Sequence, residues 1–324
     1  MRAIQIDRFG DSDAMHLTDV PLGDPGPGEV RVRHRACGIN FIDIYHRTGL
    51  YPLPLPLVLG TEGAGVIEAV GEGVTHLAVG DRVAYAARTP GSYAEARVIT
   101  ALPVVKLPEA IDFETGAAMM LKGLTVQYLL RRTRVELVPG DLILWHAAAG
   151  GVGLIACQWA RALGLRLIGT AGSDDKCRLA EQHGAAYTIN YRREDVVARV
   201  RELTGGKGVK VVYDAVGKDT WERSLDCLMP LGLMVSFGNA SGPVPPVGLG
   251  ILAQKGSLYV QRPTLGSYLS SPEAAQQMSS ELFEMVASGK VKIPVERRYP
   301  LAEAAKAHQD LEGRGTTGAG VLVP

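Results

Sequence analysis

The sequence has 324 residues, of which 46% are hydrophobic and 21% are charged, and its formal net charge at pH 7 is zero. This balance gives no electrostatic basis for binding nucleic acid or an anionic membrane surface. The chain is long enough for two domains, and we find neither the run of roughly 20 apolar residues that a membrane span needs nor a signal-peptide core, so we expect a soluble, cytoplasmic protein.

The N-terminal part of the chain has the alternating pattern of β-strands. Residues 1–6 are predicted to form a strand, and apolar and basic residues alternate over 30–36, which is the period of a half-buried strand. Further strands, separated by glycine and proline turns, are predicted at 63–70, 82–85 and 93–98. We therefore expect a mainly β domain at this end.

Residues 40–60 lie between these strands and have no clear period. They contain three prolines, at positions 52, 54 and 56. Irregular loops of this length on a β scaffold often carry function. After the β region, two helices are predicted at 112–121 and 124–132, with Asp112 as the N-cap of the first.

From residue 142 onward, short apolar strands alternate with amphipathic helices. Strands are predicted at 142–147, 166–170, 186–190, 209–214, 233–237 and 258–261. Helices are predicted between the first five strands, at 154–163, 176–183, 194–203 and 220–229. Such alternation produces right-handed βαβ crossovers and a parallel sheet covered on both faces. The predicted fold class is therefore α/β, with a Rossmann-type doubly wound parallel sheet that binds its ligand at the carboxyl ends of the strands.

A glycine-rich turn joins the first of these strands to its helix. Ala148, Gly150 and Gly153 have the spacing of the dinucleotide fingerprint G-x-G-x-x-G, with alanine at the first position. Glycines at such a turn let the backbone N–H groups of the helix start approach a pyrophosphate closely. A purely structural turn is the alternative, but the repeated strand–helix units favour a nucleotide site.

The last part of the chain contains two predicted helices, at 273–288 and 302–311, and a final strand at 320–323. We expect this segment to return to the first domain. The predicted substrate domain therefore comprises residues 1–122 and 266–324, and the dinucleotide-binding domain comprises residues 123–265.

Several motifs resemble those of the medium-chain dehydrogenase/reductase superfamily over the whole length of the chain. They are A-C-G-I-N-F-I-D at 36–43, G-T-E-G-A-G at 60–65, G-D-R-V at 80–83 and K-G-L-T at 122–125. The motifs A-A-A-G-G-V-G at 147–153 and F-G-N at 237–239 are more specifically similar to the zinc-free quinone oxidoreductases of the ζ-crystallin type. The resemblance implies a GroES-like catalytic domain, a Rossmann domain and an NADPH-dependent quinone reductase.

The resemblance also indicates that this chain lacks a catalytic metal. Zinc alcohol dehydrogenases of the superfamily carry a cysteine, a histidine and a second cysteine where Asn40, Thr61 and Lys122 stand here. These side chains cannot supply the thiolate and imidazole ligands that zinc prefers. The four cysteines lie far apart and contain no C-x-x-C pair, so neither a disulfide framework nor a structural zinc site is predicted.

The predicted cofactor is NADPH. The second strand of the Rossmann domain leads into Ala171 and Gly172, without the acidic residue that NAD sites place there. The resemblance implies that Lys176, Tyr191 and Arg314 surround the 2′-phosphate; the alternative for Lys176 is a solvated helix lysine, and for Arg314 a solvated arginine in a glycine-flanked segment. Asp174 and Asp175 follow closely enough to reach a ribose, but we interpret Ser173 or Asp174 as the cap of the next helix. The further cofactor contacts expected are Lys122, Thr125, Ala148, Gly150, Gly151, Val152, Gly172, Ser173, Phe237, Gly238, Asn239 and Arg262.

The substrate end needs little acid–base chemistry, because the nicotinamide carries out hydride transfer and a quinone is already electrophilic. Neutral donors that stabilise the developing oxyanion suffice. Asn40 and Tyr45 are the candidates, with Tyr51 and the prolines after it as an apolar wall against a flat ring. Alternatively, Asn40 caps a helix that begins at Phe41, and Tyr45 is an ordinary packed aromatic residue. Asp43 is expected to order the loop.

Other functions are compatible with the same residues. An enal or enone double-bond reductase needs the same hydride and the same oxyanion donor. A non-catalytic NADPH-binding protein, crystallin-like or RNA-binding, would retain the fold without turnover, but the neutral charge argues against nucleic acid. Residues 255–262 are predicted to form an edge strand through which two subunits pair as a homodimer.

Overall fold

The computed structural model describes residues 1–313 and 316–324. They form two compact units. The first unit comprises Met1–Leu124, Leu265–Gly289 and Ile293–Pro324, and the second comprises Thr125–Thr264 and Lys290–Lys292. The sequence-based division after residue 122 and before residue 266 lies close to these limits, except that 290–292 group with the second unit. Within the described residues, none of the helices combines the length and the hydropathy of a bilayer span.

The strands alternate with helices mainly in the middle of the chain. The strands are β1 Arg2–Ile6, β2 Met15–Asp19, β3 Glu29–Gly38, β4 Leu57–Val58, β5 Glu62–Val70, β6 Arg82–Ala86, β7 Ala96–Thr100, β8 Val104–Lys106, β9 Leu142–Trp145, β10 Arg166–Ala171, β11 Tyr187–Asn190, β12 Val209–Asp214, β13 Leu228–Ser236, β14 Tyr259–Gln261, β15 Val295–Pro300 and β16 Ala319–Val323. The helices are α1 Phe41–Thr48, α2 Phe113–Arg131, α3 Gly151–Ala162, α4 Asp174–Gln182, α5 Val196–Leu203, α6 Trp221–Asp226, α7 Gly250–Gln254, α8 Leu265–Tyr268, α9 Pro272–Ala287 and α10 Ala304–Glu312. Short 3-10 turns lie at Ser12–Ala14 and Leu301–Glu303.

The second unit contains a parallel sheet with the strand order β11-β10-β9-β12-β13-β14. This is the doubly wound order, and it confirms the predicted fold class. The central strand β9 pairs Ile143 with Leu167 of β10 on one side and with Val211 of β12 on the other. The chain reverses its winding direction at β9, so the crevice of a doubly wound sheet opens at the carboxyl end of this strand.

The first unit is mainly β, as expected. Its larger sheet runs β15-β16-β3-β5-β6-β8, with β7 also paired to β3, and a smaller sheet runs β2-β1-β4. The C-terminal strand β16 pairs antiparallel with β3, so Leu322 lies opposite Cys37. The end of the chain therefore rejoins the first unit, as the sequence predicts.

The structure corrects the secondary structure predicted around the substrate loop and α2. Part of the expected irregular stretch 40–60 is the helix α1, which Asp43 stabilises by accepting a hydrogen bond from the backbone N–H of Asn40 at 2.9 Å. The two helices predicted at 112–121 and 124–132 form one helix, α2. Gly123 lies inside this helix and does not end it. The glycine allows close packing, since a Cβ there would lie 2.5 Å from Leu282 Cδ1.

Other boundaries also differ from the predictions. The helix predicted to reach residue 229 ends at 226, since Leu228 already pairs with Val209 in the sheet. The strand predicted at 93–98 is observed as β7, which begins three residues later and ends two residues later. The predicted edge strand 255–262 is shorter, because only β14 has strand geometry there. The short helices α7 and α8 were not predicted.

Candidate functional site

The glycine-rich turn between β9 and α3 leaves the start of the helix without a side-chain cap. Gly150 is the N-cap residue, and it has no side chain that could accept a bond from the first-turn N–H groups. Its own N–H donates to the carbonyl of Ala147 at 3.0 Å. The first-turn N–H groups of a helix have no acceptor within the helix, so Gly151 and Val152 offer donors suited to an anion.

Two close contacts explain the residues around this turn. Ala148 donates its N–H to the carbonyl of Thr170 at 3.0 Å, and its side chain fits because Gly169 has none: a Cβ on Gly169 would lie 2.6 Å from that of Ala148. A Cβ on Gly153 would lie 2.5 Å from the carbonyl oxygens of Ala147 and Ala148. Gly153 therefore permits close packing of helix and turn, and alanine is tolerated at the first fingerprint position.

The residues predicted to select the cofactor lie where β10 and β11 end. Ser173 is the N-cap of α4, and its hydroxyl accepts the N–H of Lys176 at 3.3 Å. A Cβ on Gly172 would lie 2.6 Å from the hydroxyl oxygen of Tyr191, whose ring is exposed. The structure thus brings Gly172, Ser173, Lys176 and Tyr191 together, whereas Arg314 lies outside the described residues.

Asp174 follows the cap residue, and its carboxylate is already occupied. It accepts hydrogen bonds of 2.6 Å from Nδ2 of Asn190 and from Nη1 of Arg193. Of the two cap residues considered from the sequence, Ser173 is therefore the one that caps α4. Asp174 instead ties the start of α4 to the end of β11.

A second group of predicted cofactor residues lies at the end of β13. The ring of Phe237 lies 5.5 Å from that of Trp145, and a Cβ on Gly238 would lie 2.6 Å from the carbonyl of Ala215. Arg262 donates to the carbonyl of Gly238 at 3.1 Å, and the carbonyl of Asn239 accepts from Gly242 at 2.9 Å. These residues form a compact backbone corner beside β9.

A buried polar chain, which the sequence reasoning missed, joins the carboxyl ends of β9, β10 and β12. His146 bonds to the hydroxyl of Thr170 and to that of Ser224, each at 2.9 Å. Ser224 in turn donates to Asp214 at 2.8 Å, and Thr220 donates to the same carboxylate at 2.6 Å. Burial lowers the pKa of His146. The signal in the sequence was a polar residue at the end of each apolar strand.

In the first unit, Asn40 is the N-cap residue of α1, which is one of the two roles considered for it. Its side chain is buried, and its amide Nδ2 donates to Oε2 of Glu62 at 2.7 Å. Its other role, as a donor to the substrate, stays a prediction.

Asp43 orders this segment, as the sequence predicts. Besides the N–H of Asn40, its carboxylate accepts the hydroxyls of Thr61 at 2.9 Å and Tyr93 at 3.0 Å. Burial raises the pKa of Asp43 to about 7 in spite of these donors. Because the Tyr93 proton points to Asp43, Nε2 of His308 donates to the Tyr93 oxygen at 3.1 Å.

The two tyrosines predicted at the substrate end lie together. The ring centroids of Tyr45 and Tyr51 are 5.2 Å apart at an interplanar angle of 70°, and the N–H of Tyr51 donates to the carbonyl of Tyr45 at 3.0 Å. Phe41 packs on the other side, with its ring 6.3 Å from that of Tyr45. Tyr45 is thus a packed aromatic residue on α1, the helix that Asn40 begins as its N-cap.

Glu62 is the polar residue at this end that sequence reasoning missed. It is fully buried, and Lys122 Nζ lies 3.4 Å from its Oε2 and 3.1 Å from the carbonyl oxygen of Ile39. Thr125, predicted beside Lys122, is also buried on α2 but belongs to the second unit. The available signal was a charged residue within the glycine-rich start of a strand whose next five residues are uncharged.

Comparisons with known proteins agree over the whole chain. The family model described as "Alcohol dehydrogenase GroES-like domain" matches residues 26–109, and the one described as "Zinc-binding dehydrogenase" matches residues 151–285. A Pseudomonas aeruginosa protein named quinone oxidoreductase is 59% identical over 324 residues, which are 100% of this chain and 99% of that protein. The crystal structure of Escherichia coli quinone oxidoreductase complexed with NADPH has a TM-score of 0.98 at 52% identity and covers 100% of both chains. A Burkholderia protein named 2-haloacrylate reductase is 44% identical over 99% of this chain and 98% of that protein.

The second family description implies zinc, and the residues here do not fit that metal. The amide of Asn40 donates to Glu62, the hydroxyl of Thr61 donates to Asp43, and Lys122 is a cation. None of the three offers a thiolate or an imidazole. In residues 1–313 and 316–324, no group of three or more His, Cys, Asp or Glu side chains could hold a metal ion.

Proposed function

Since this chain belongs to the quinone oxidoreductase family of the medium-chain dehydrogenase/reductase superfamily, we propose that it reduces quinones with NADPH and without a metal ion. Two features of the chain carry the proposal: an uncapped helix start at a glycine-rich turn, and a buried neutral amide, that of Asn40, at the start of α1. When bound, NADPH supplies the hydride.

The second unit is the proposed cofactor domain and the first unit the proposed substrate domain, with boundaries after residue 122 and before residue 266. The N–H groups of Gly151 and Val152 bind the pyrophosphate, where the helix dipole also favours an anion. The tight contacts of Ala148 and Gly153 hold the turn in the shape that this binding needs. The corner formed by Phe237, Gly238, Asn239 and Arg262 lines the cofactor beside β9, and Lys122 and Thr125 position its nicotinamide end.

Selectivity for NADPH is proposed to arise beside Ser173. Lys176 and Tyr191 bind the 2′-phosphate there, and Arg314 joins them in the proposal. The acid that could bind a ribose hydroxyl, Asp174, is engaged by Asn190 and Arg193. Because the carboxylate is committed elsewhere, it neither repels the phosphate strongly nor selects NADH.

At the substrate end, Asn40 and Tyr45 donate hydrogen bonds to the oxygen on which negative charge develops. Fixed donors stabilise such charge without reorganising during the reaction. Tyr51 and the prolines after it flank the flat ring of the quinone. The tyrosine pair is held by its edge-to-face contact and by the backbone bond between the two residues.

A double-bond reductase acting on enals or enones is the second candidate. It is favoured by the relative named 2-haloacrylate reductase. The same two donors would stabilise the enolate-like charge that follows hydride addition to a conjugated carbonyl.

The test is a titration of the purified protein with NADPH and NADH, followed by steady-state rates on matched panels of quinones and enals. We expect tighter binding of NADPH and a higher kcat/KM on quinones. Faster turnover of enals would favour the second candidate. Nucleotide binding without oxidation of NADPH by any acceptor would point to the non-catalytic alternative, and a radical detector in the quinone assay separates one-electron from two-electron reduction.

We propose a homodimer formed through β14, which ends the parallel sheet and carries Tyr259 and Val260 with 58% and 41% of their surfaces exposed. An open strand with apolar side chains favours pairing with a second copy.

We also propose a cytoplasmic location, because all four cysteines are free thiols, which suits a reducing compartment.

A further inference from the structure

One carboxylate is completely enclosed in the first unit, at the first residue of β5. Glu62 has 0% of its side chain exposed. Its Oε1 accepts the backbone N–H of Leu121 at 2.8 Å, while its Oε2 accepts Nδ2 of Asn40 at 2.7 Å and lies 3.4 Å from Nζ of Lys122. Three donors from two elements thus converge on a single buried side chain.

This contact fixes the orientation of the Asn40 amide. A carboxylate accepts hydrogen bonds and donates none, so Asn40 must turn its NH2 group toward Glu62. One N–H is used in that bond, and the plane of the amide is set. The second N–H of the amide then also has a fixed direction. Without such a partner, the amide oxygen and the NH2 group could exchange places by rotation about the terminal side-chain bond.

Lys122 supports the same arrangement from α2. Only 7% of its side chain is exposed, and its ammonium group also donates to the carbonyl of Ile39 at 3.1 Å. Ile39 precedes Asn40, so the ammonium group holds both the carboxylate that orients Asn40 and the backbone that leads into it. The matching opposite charge also offsets part of the cost of burying Glu62.

The site is closely built around this carboxylate. A Cβ on Gly38 would lie 2.3 Å from Oε2 of Glu62 and 2.2 Å from the carbonyl of Ala117, so only glycine leaves room for the ion pair. A buried ion pair is a weak source of stability, because desolvation offsets the attraction, and apolar residues of similar size often stabilise a core equally well. Stability alone therefore does not account for the directional contacts to Asn40, which point to a functional role.

We propose that Glu62 is a positioning residue for quinone reduction: it holds the Asn40 amide with an N–H presented to the substrate oxygen, and Lys122 holds Glu62 in place. This inference rests on the proposed function. It extends that function to a residue that need not touch the substrate.

The experiment is a double-mutant cycle with NADPH and a quinone. The pair variant Glu62→Met/Lys122→Met removes both charges together and so avoids an unpaired buried ion. We expect its kcat on the quinone to fall about 10- to 100-fold, as expected when a supporting residue no longer orients its partner, while the Kd for NADPH changes less than the kcat. Asn40→Ala alone should cause a similar loss of kcat. Adding Asn40→Ala to the pair variant should cause no further loss, because both changes remove the same interaction.

A conservative variant and a matched control complete the design. Glu62→Gln keeps one acceptor oxygen, so it should retain more activity than the pair variant, and its loss should also vanish in the Asn40→Ala background. This cycle decides the proposal, because it leaves in place Lys122, which is also proposed to position the nicotinamide. It needs no result from the pair variant, whose folding thermal unfolding will check. The control is Glu68→Gln, on the same strand, which removes an ion pair with Arg33 at the surface and should leave kcat unchanged.

The possible outcomes separate the positioning role from the proposed function. Multiplicative losses of kcat in the cycle, or an unchanged kcat when Glu62 is replaced, would overturn the positioning role while leaving quinone reduction intact. A wild-type protein that binds NADPH but reduces no quinone would overturn both.

Discussion

Asp43 is fully buried, and its carboxylate accepts hydrogen bonds from three neutral donors, the N–H of Asn40 and the hydroxyls of Thr61 and Tyr93. Burial is the largest effect on it, and it raises the pKa of Asp43 from 3.8 to about 7. Below pH 4 the group is neutral in both the folded and the unfolded chain. Between pH 4 and 7 the folded chain retains the proton that the unfolded chain has released, so this residue makes the free energy of unfolding fall as the pH rises.

We therefore predict that Asp43→Asn changes the pH dependence of stability in one direction. Its free energy of unfolding, relative to wild type, should rise between pH 4 and 7 and level off above pH 7, by a total of about 4 kcal/mol at most. The measurement is urea unfolding of both proteins at each pH. The difference between them isolates Asp43, because buried histidines act with the opposite sign: burial lowers the pKa of His308 to about 3, which costs stability as the pH falls below 6.5.

The control for this experiment is Asp24→Asn, since Asp24 is exposed and pairs with Arg31 at the surface. Its stability relative to wild type should stay nearly constant over the same range. A flat difference for Asp43→Asn would mean that Asp43 is already ionised in the folded protein at pH 5.

At the scale of elements, hydrogen bonds from the end of β11 and the turn after it hold the carboxylate of Asp174 at the start of α4. Asp174 accepts hydrogen bonds from Asn190 and Arg193, and this engagement is the reason that we propose for its failure to select NADH. We predict that Arg193→Ala lowers the ratio of kcat/KM for NADPH to that for NADH about 2- to 5-fold, because the released carboxylate repels the 2′-phosphate. The modest size follows from the exposure of the pair.

Two variants decide whether the effect passes through Asp174. In the double variant Asp174→Asn/Arg193→Ala the preference for NADPH should return to the wild-type value, since no carboxylate remains to be released. Arg178→Ala removes a different arginine, one on α4 that pairs with Asp175, and should leave the ratio unchanged. An equal change in both arginine variants would assign the effect to lost positive charge instead.

At the scale of the molecule, secondary structure was predicted best where the burial of a strand or helix leaves a regular pattern of apolar residues in the sequence. Strands covered on both faces read as apolar runs, and their helices read as amphipathic stretches, so the parallel sheet and the family were predicted and are confirmed. The helix α1 was expected only as an alternative, because the prolines that follow it obscure an otherwise clear N-cap. Gly123 suggested a break between two helices, whereas in the folded chain it lies inside α2 and packs against Leu282.

From the sequence we predicted candidate residues of the site, but not the hydrogen bonds that join them. Asn40 was identified, but Glu62 was not, because its partners lie 22 and 60 positions away in sequence and only the folded sheet and α2 bring them together. The same holds for the chain from His146 to Asp214, which joins the ends of three different strands through Ser224 of α6. Contacts of this kind carry no periodic signal.

The proposed dimer makes a prediction about the whole molecule. If β14 pairs antiparallel with its copy, a two-fold axis brings both copies of each residue into the same interface, so one added charge acts twice. We predict that Val260→Lys weakens dimerisation by more than about 10-fold, because a buried cation without a partner is costly. Light scattering on a dilution series provides the measurement. Val79→Lys places the same charge on an exposed valine of the first unit and should leave the dimer unchanged, whereas a wild-type monomer at micromolar concentration, or a Val260→Lys dimer as tight as wild type, would contradict pairing through this strand.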